Sequence, residues 1–217
     1  MTLDELKRLV ALGEGYHLEF KRRVPKPERI AKEIIAFANS NGGILLLGVS
    51  DDGTISGLRV VVEEQFDFER SLREFADPVP AFRLERVPVS HRREVLVVHV
   101  PESHSKPHYL PGRGNSPKGT AYVRVKDMSV EASREVIRLM RAPDDSDVRF
   151  EYGDKEHALM QYLDQYEKIT VDQFASLVDV PRRVASRTLV LLTRASILQI
   201  HPTERADYFS LAYDTAA

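Results

Sequence analysis

The chain has 217 residues, 42% of them apolar and 29% charged, with 11 Gly, 12 Pro and no Cys. This is a globular composition with room for one domain of about 140 residues and a smaller one. The absence of cysteine excludes a disulfide framework, a thiolate metal site, an iron–sulfur cluster and a cysteine nucleophile. The net charge of −2 divides into 23 basic and 20 acidic side chains over 1–141 and 8 and 13 over 142–217, so any nucleic-acid surface has to be a local patch.

Leu3, Leu6, Leu9 and Val10 space a short amphipathic helix, and His17–Lys21 reads as a strand. Glu28–Asn41 is a helix, with Ile30, Ile34, Phe37 and Ala38 on one face, that stops at Gly42-Gly43. Ile44–Val49 is apolar throughout, as in a strand buried on both faces, and Asp51-Asp52-Gly53-Thr54 is a turn. A polar helix over about 62–76 precedes strands near Phe82–Val87, Val95–Val100 and Ala121–Val125, and Ser129 caps a helix running to Arg141. The expected fold is α/β with a mixed sheet. Pro111–Gly119 reads as a basic surface loop.

Proline, serine and three aspartates fill Ala142–Asp147, so we place a first domain at 1–141, a linker at 142–150 and a second domain at 151–217. In the second, Ala158, Leu159, Tyr162 and Leu163 mark a helix. Thr170-Val171-Asp172-Gln173 is a capping box opening another, and Pro181 opens a third with an apolar stripe of Val184, Thr188, Leu191 and Leu192. Ile197–His201 and Tyr208–Leu211 then read as strands around a polar turn. Three helices and a hairpin is the order of a winged helix-turn-helix.

The apolar runs Ile44–Leu47 and Val95–Val98 are far too short to span a bilayer, and the first residues are acidic where a signal peptide is basic, so a soluble cytoplasmic protein is expected. There is no Gly-x-x-x-x-Gly-Lys-Ser/Thr, no Gly-x-Gly-x-x-Gly opening a helix and no His-Glu-x-x-His, so ATP hydrolysis is not expected.

The densest constellation of chemistry is Glu14 with Glu19-Phe20-Lys21. On a strand Glu19 and Lys21 share a face, and Asp51 leaves the end of the buried strand. Carboxylates so grouped can hold a hard divalent cation, and a neighbouring lysine can steady a phosphate. The plainer reading is an ion pair and a turn. A second set of candidates is basic: Lys106, Arg113, Lys118 and Arg124 in the late strands and loop, and Arg182, Arg183 and Arg187 in the third helix of the second domain, where Pro181–Ala195 contains no acid. Arg183 and Arg187 are four apart and share an exposed face, suited to phosphates and guanine edges.

Several spaced blocks carry a family resemblance. Glu14 with Leu18-Glu19-Phe20-Lys21, Ile34–Gly43 (IIAFANSNGG), Leu46–Gly53 (LLGVSDDG), Ile55-Ser56-Gly57-Leu58, Lys106-Pro107-His108-Tyr109 and Gly119–Val125 (GTAYVRV) together resemble the AlbA-like domain of the Schlafen family, whose bacterial members are also called divergent AAA-type proteins. The resemblance spans about residues 5–140. It implies an α/β fold, nucleic-acid binding and a frequent C-terminal winged helix. For nuclease members it implies two glutamates, matching Glu14 and Glu19, and an aspartate, for which Asp51 stands one residue late behind Ser50.

The expectation is a nucleic-acid-binding, transcriptional-regulator-like protein with DNA ahead of RNA as partner, no membrane association and a homodimer as an accompanying state. The alternative is a nuclease using Glu14, Glu19 and Asp51 with Mg or Mn, assisted by Lys21. A second alternative is a protein-assembly module. No cofactor is expected outside the nuclease reading.

Overall fold

The computed structural model describes residues 1–112, 119–142 and 152–212, which fall into two units, Met1–Glu131 and Ala132–Ala217. The first is built on a four-stranded sheet of β1 (Leu18–Lys21), β2 (Gly43–Leu47), β4 (Arg93–Val100) and β3 (Arg83–Ser90), in that spatial order. β1 and β2 are parallel, with Glu19 opposite Leu45; the other neighbours are antiparallel. The parallel step is made by the crossover helix α2 (Pro27–Asn39).

Period-two alternation divides β2 and β4 between two apolar layers. Leu45, Leu47, Leu96 and Val98 pack under α2 and α3 (Val61–Phe75), while Leu46, Val95 and Val97 join Leu18 and Phe20 under α1 (Leu3–Val10). This is why the Ile44–Val49 run carries no polar residue. Gly42 ends α2 at φ +73°, and a Cβ there would lie 2.6 Å from the carbonyl oxygen of Val100, so the close approach of the two segments requires glycine.

Beyond the sheet, a hairpin of β5 (Tyr122–Val125) and β6 (Met128–Glu131) lies against α2. Asn39 joins these elements: its side-chain amide donates to the carbonyls of His108 (2.9 Å) and Tyr122 (3.0 Å) and accepts from the His108 N–H (2.8 Å). β6 corrects the expected helix from Ser129. Cross-strand pairing with β5 claims Met128–Glu131, and the helix begins four residues later, where the Ser133 hydroxyl accepts from the Val136 N–H to cap α4 (Arg134–Arg141).

α4 belongs to the second unit, so the division falls before this helix rather than at the Pro/Asp-rich segment after it. Of the expected linker, residues 143–150 lie outside the described residues. The unit continues with α5 (Asp154–Tyr166), α6 (Val171–Leu177), α7 (Arg182–Arg194) and a hairpin of β7 (Leu198–His201) and β8 (Tyr208–Leu211). Thr170 and Gln173 form the capping box read from the sequence, and Ile169 bridges Phe209.

α7 buries Thr188 and Leu192 of the expected stripe but not Val184. Ala185, Leu189 and Leu192 enter the core with Leu159, Leu163, Phe174 and Phe209, whereas Val184 is exposed. Leu191 is only half-buried. Among the described residues no helix is long and apolar enough to cross a membrane.

Candidate nucleic-acid interface

Glu14, Glu19 and Lys21 meet at the open edge of β1. The Phe20 N–H points away from β2 and donates to Glu14 (2.8 Å), and the Phe20 carbonyl accepts from Lys21 (2.8 Å). Leu18 offers its carbonyl to the Gly15 N–H (2.9 Å). The edge is thus closed by its own flanking residues, which leaves no ladder for another chain to join.

Glu19 is buried on the α2 side of the sheet, and both its carboxylate oxygens are engaged. Oε1 takes the Lys21 ammonium, and Oε2 takes the Arg124 guanidinium at 3.1 Å. Arg124 is fully buried. It also donates to Glu33 on α2 (3.1 Å), Ser129 (3.2 Å) and the Gly15 carbonyl (2.7 Å), and lies 4.7 Å from the centroid of Phe37. Its Nε has no acceptor among the described residues. Burial pushes the Glu19 carboxyl above the ordinary carboxylate range; Lys21 and Arg124 oppose that shift, while Glu33 adds to it.

This arrangement corrects two expectations. Arg124 is an interior cross-link and not a surface phosphate contact. Glu14, Glu19 and Asp51 are not assembled as ligands: among the described residues no three His, Asp or Glu side chains come close enough to hold a metal ion. Lys21 ties Glu19 to a backbone carbonyl, and Asp51 lies in an exposed turn four residues beyond Leu47, the partner of Lys21. Lys21 and Arg124 hold the two Glu19 oxygens that a Mg or Mn ion would need, so this arrangement would have to open to admit one.

The remaining basic candidates separate. Lys106 is bonded to Glu102 at 2.6 Å and is largely covered, and Arg113 and Lys118 lie outside the described residues. Arg182 is held by Asp172 (2.8 Å), with Glu135 at 3.9 Å, which sets it apart from its neighbours. Arg183 and Arg187 are exposed and line one cavity of about 400 Å³ within the second unit.

Three further arginines line that cavity: Arg194 from α7, and Arg138 and Arg141 from α4. Its other lining residues, Ala142, Val190 and Leu191, are apolar, and none of the eight is acidic. The sequence signal for the α4 pair was their three-residue spacing, but as last-turn cations they also suit the negative end of a helix, which conceals any outward role. A larger cavity of about 530 Å³ in the first unit is walled by apolar residues such as Ile44, Phe82 and Val100, with His17 already bonded to the Gly42 carbonyl (3.0 Å).

Residues 14–133 match the family model described as Schlafen, AlbA_2. The chain belongs to the Schlafen AlbA_2 family. Among solved structures, the chain is similar to DIP2311 of Corynebacterium diphtheriae, at 22% identity and a TM-score of 0.37 over 55% of this chain and 25% of that one. The chain thus spans a quarter of that protein's length. It is also similar to the N-terminal domain of a RecG-related protein from Nitrosomonas europaea, at 27% identity and a TM-score of 0.40 over 56% of this chain and 86% of that one. No curated protein matches the chain.

Proposed function

We propose that this Schlafen AlbA_2 protein binds nucleic acid, duplex DNA in the first place, as a regulator-type protein whose second unit acts as a winged helix-turn-helix with α7 as its recognition helix. The observation that carries this reading is the arginine-lined cavity, none of whose described lining residues is acidic. At about 100° per residue, Arg183, Arg187 and Arg194 fall within about 40° of one another, on the side of α7 opposite Ala185, Leu189 and Leu192. The stripe extends about 16 Å at ~1.5 Å per residue. Such a linear row suits a polymeric anion, and arginine reads guanine edges and phosphates in two-pronged geometry.

Two further features support the reading. The N-terminus of α7 carries no side-chain cap, which leaves its positive end to complement a phosphate. The order α5, α6, α7, β7, β8, with Ile169 bridged to Phe209, matches a three-helix unit with a wing. The acidic balance of residues 142–217 leaves room for DNA binding at a local patch, since none of the described residues that line the cavity is acidic.

The test is a fluorescence-anisotropy titration of labelled duplex DNA with the full chain and with Arg183→Ala/Arg187→Ala. The double variant is expected to bind at least tenfold more weakly with its thermal midpoint unchanged. Equal affinities for the two proteins would remove α7 from the interface.

A further inference from the structure

We propose that α4 is a working wall of the nucleic-acid interface, and that the groove between α4 and α7 seats one phosphodiester strand of the duplex whose major groove receives α7. The inference rests on the recognition-helix reading and adds to it a helix that precedes the three-helix module in the chain.

α4 lies along one flank of the outward face of α7. Arg138 donates to the Ser186 hydroxyl at 2.6 Å, and that hydroxyl in turn donates to the buried carboxylate of Glu135. Ser186 and Val190 are buried, although the α5–α6 core is on another side of α7. The two helices therefore form a groove, and Arg138 and Arg141 face Arg183, Arg187 and Arg194 across it.

Charge and lining select the occupant. The major groove of B-DNA is about 12 Å wide and admits one helix. A helix centred there has a bounding phosphate strand about 6 Å to each side. Packed helices stand about 8–10 Å apart. Helices in such contact leave no channel between them, so a phosphate strand flanking α7 passes over the outer rim of the cavity, which arginines of both helices line. The groove has no aromatic side chain among its lining residues on which an unpaired base would stack, which favours the backbone of a duplex over a free single strand.

The experiment measures the affinity of the full chain for a labelled duplex, and for a single strand of the same length, across a salt series. Each lost phosphate contact lowers the slope of log K against log salt by about 0.9. Arg138→Ala/Arg141→Ala is expected to lower that slope by nearly two, and Arg138→Lys/Arg141→Lys to keep it near wild type. Because Arg138 also holds Ser186, Arg141→Glu provides a second variant that leaves this hydrogen bond in place, and it is expected to weaken duplex binding severalfold. Arg70→Ala/Arg73→Ala, on exposed positions of α3, makes the same change in net charge and should leave the slope alone.

Wild-type affinity and salt slope in Arg138→Ala/Arg141→Ala and in Arg141→Glu, with a flattened slope in Arg183→Ala/Arg187→Ala, would overturn the role of α4 and leave the recognition helix standing. Tighter binding of the single strand than of the duplex would overturn the proposed occupant. Absence of duplex binding by the unaltered chain would remove both readings.

Discussion

Arg124 is the residue on which the interior of the AlbA_2 domain depends most. It supplies the positive charge for two buried carboxylates, Glu19 and Glu33, that have been taken out of water. Removing one partner of a buried ionic cluster strands the other charges, at a cost of about 3–5 kcal/mol. Urea unfolding at pH 7 should therefore show Arg124→Met destabilised by about that amount, with the deficit narrowing in acid as Glu19, whose carboxyl is already held above the usual range by burial, protonates. A loss below about 1 kcal/mol at pH 7 would contradict this account of the cluster. His108 sets a second, opposite dependence. Its Nδ1–H donates to the Pro78 carbonyl (2.7 Å) and its Nε2 accepts from Ser103 (2.7 Å), so the neutral ring fits the site, and burial is the main cause that lowers its affinity for a proton. A histidine depressed in the fold contributes stability that is full above its unfolded value of about 6.5 and is lost as the pH falls through the folded value. The thermal midpoint should drop between pH 7.5 and 5.5, and the drop should be shallower in His108→Gln. An unchanged pH profile in that variant would remove His108 from the acid response.

At the level of elements, β1 shows how one set of side chains supports two readings. Glu14, Glu19 and Lys21 have the residue types of a metal-assisted site, yet Glu14 and Lys21 satisfy the outward N–H and carbonyl of Phe20 at a strand edge. Glu14→Ala leaves a part-buried N–H without its acceptor and should cost roughly 1 kcal/mol, while Glu14→Gln, which keeps an acceptor oxygen, should retain most of that stability. Equal losses in the two variants would argue against the edge-closing role. The strands and helices themselves were legible because local pattern and burial agree. Alternation and apolar runs located β2 and β4, and Thr170–Gln173 located the start of α6. What was not legible depended on partners distant in sequence. Met128–Glu131 is a strand only because β5 lies beside it. Arg124 is separated from Glu33 by 91 positions and from Glu19 by 105, so its burial leaves no local trace. On α7 the sequence offered two overlapping apolar stripes. The core took the one containing the small Ala185, with Val190 covered on a different side from the α5–α6 core.

At the scale of the whole molecule, charge separates the two units by role. In the AlbA_2 domain the conspicuous acids and bases neutralise one another in the interior, whereas in the second unit five arginines line one concavity whose described lining residues include no acid. Net charge conceals this, since the more acidic part of the chain carries most of that concavity. The proposed nucleic-acid surface is that of α4 and α7, while Glu14, Glu19 and Lys21 are bonded at the edge of β1. Hydrogen exchange of the full chain, measured with and without a saturating DNA duplex, tests that assignment most directly. The account predicts slowed exchange in peptides covering 134–141 and 182–194, and unchanged exchange over 14–21 and 48–54. Protection confined to 14–21 and 48–54, with α4 and α7 exchanging as in the free protein, would contradict it.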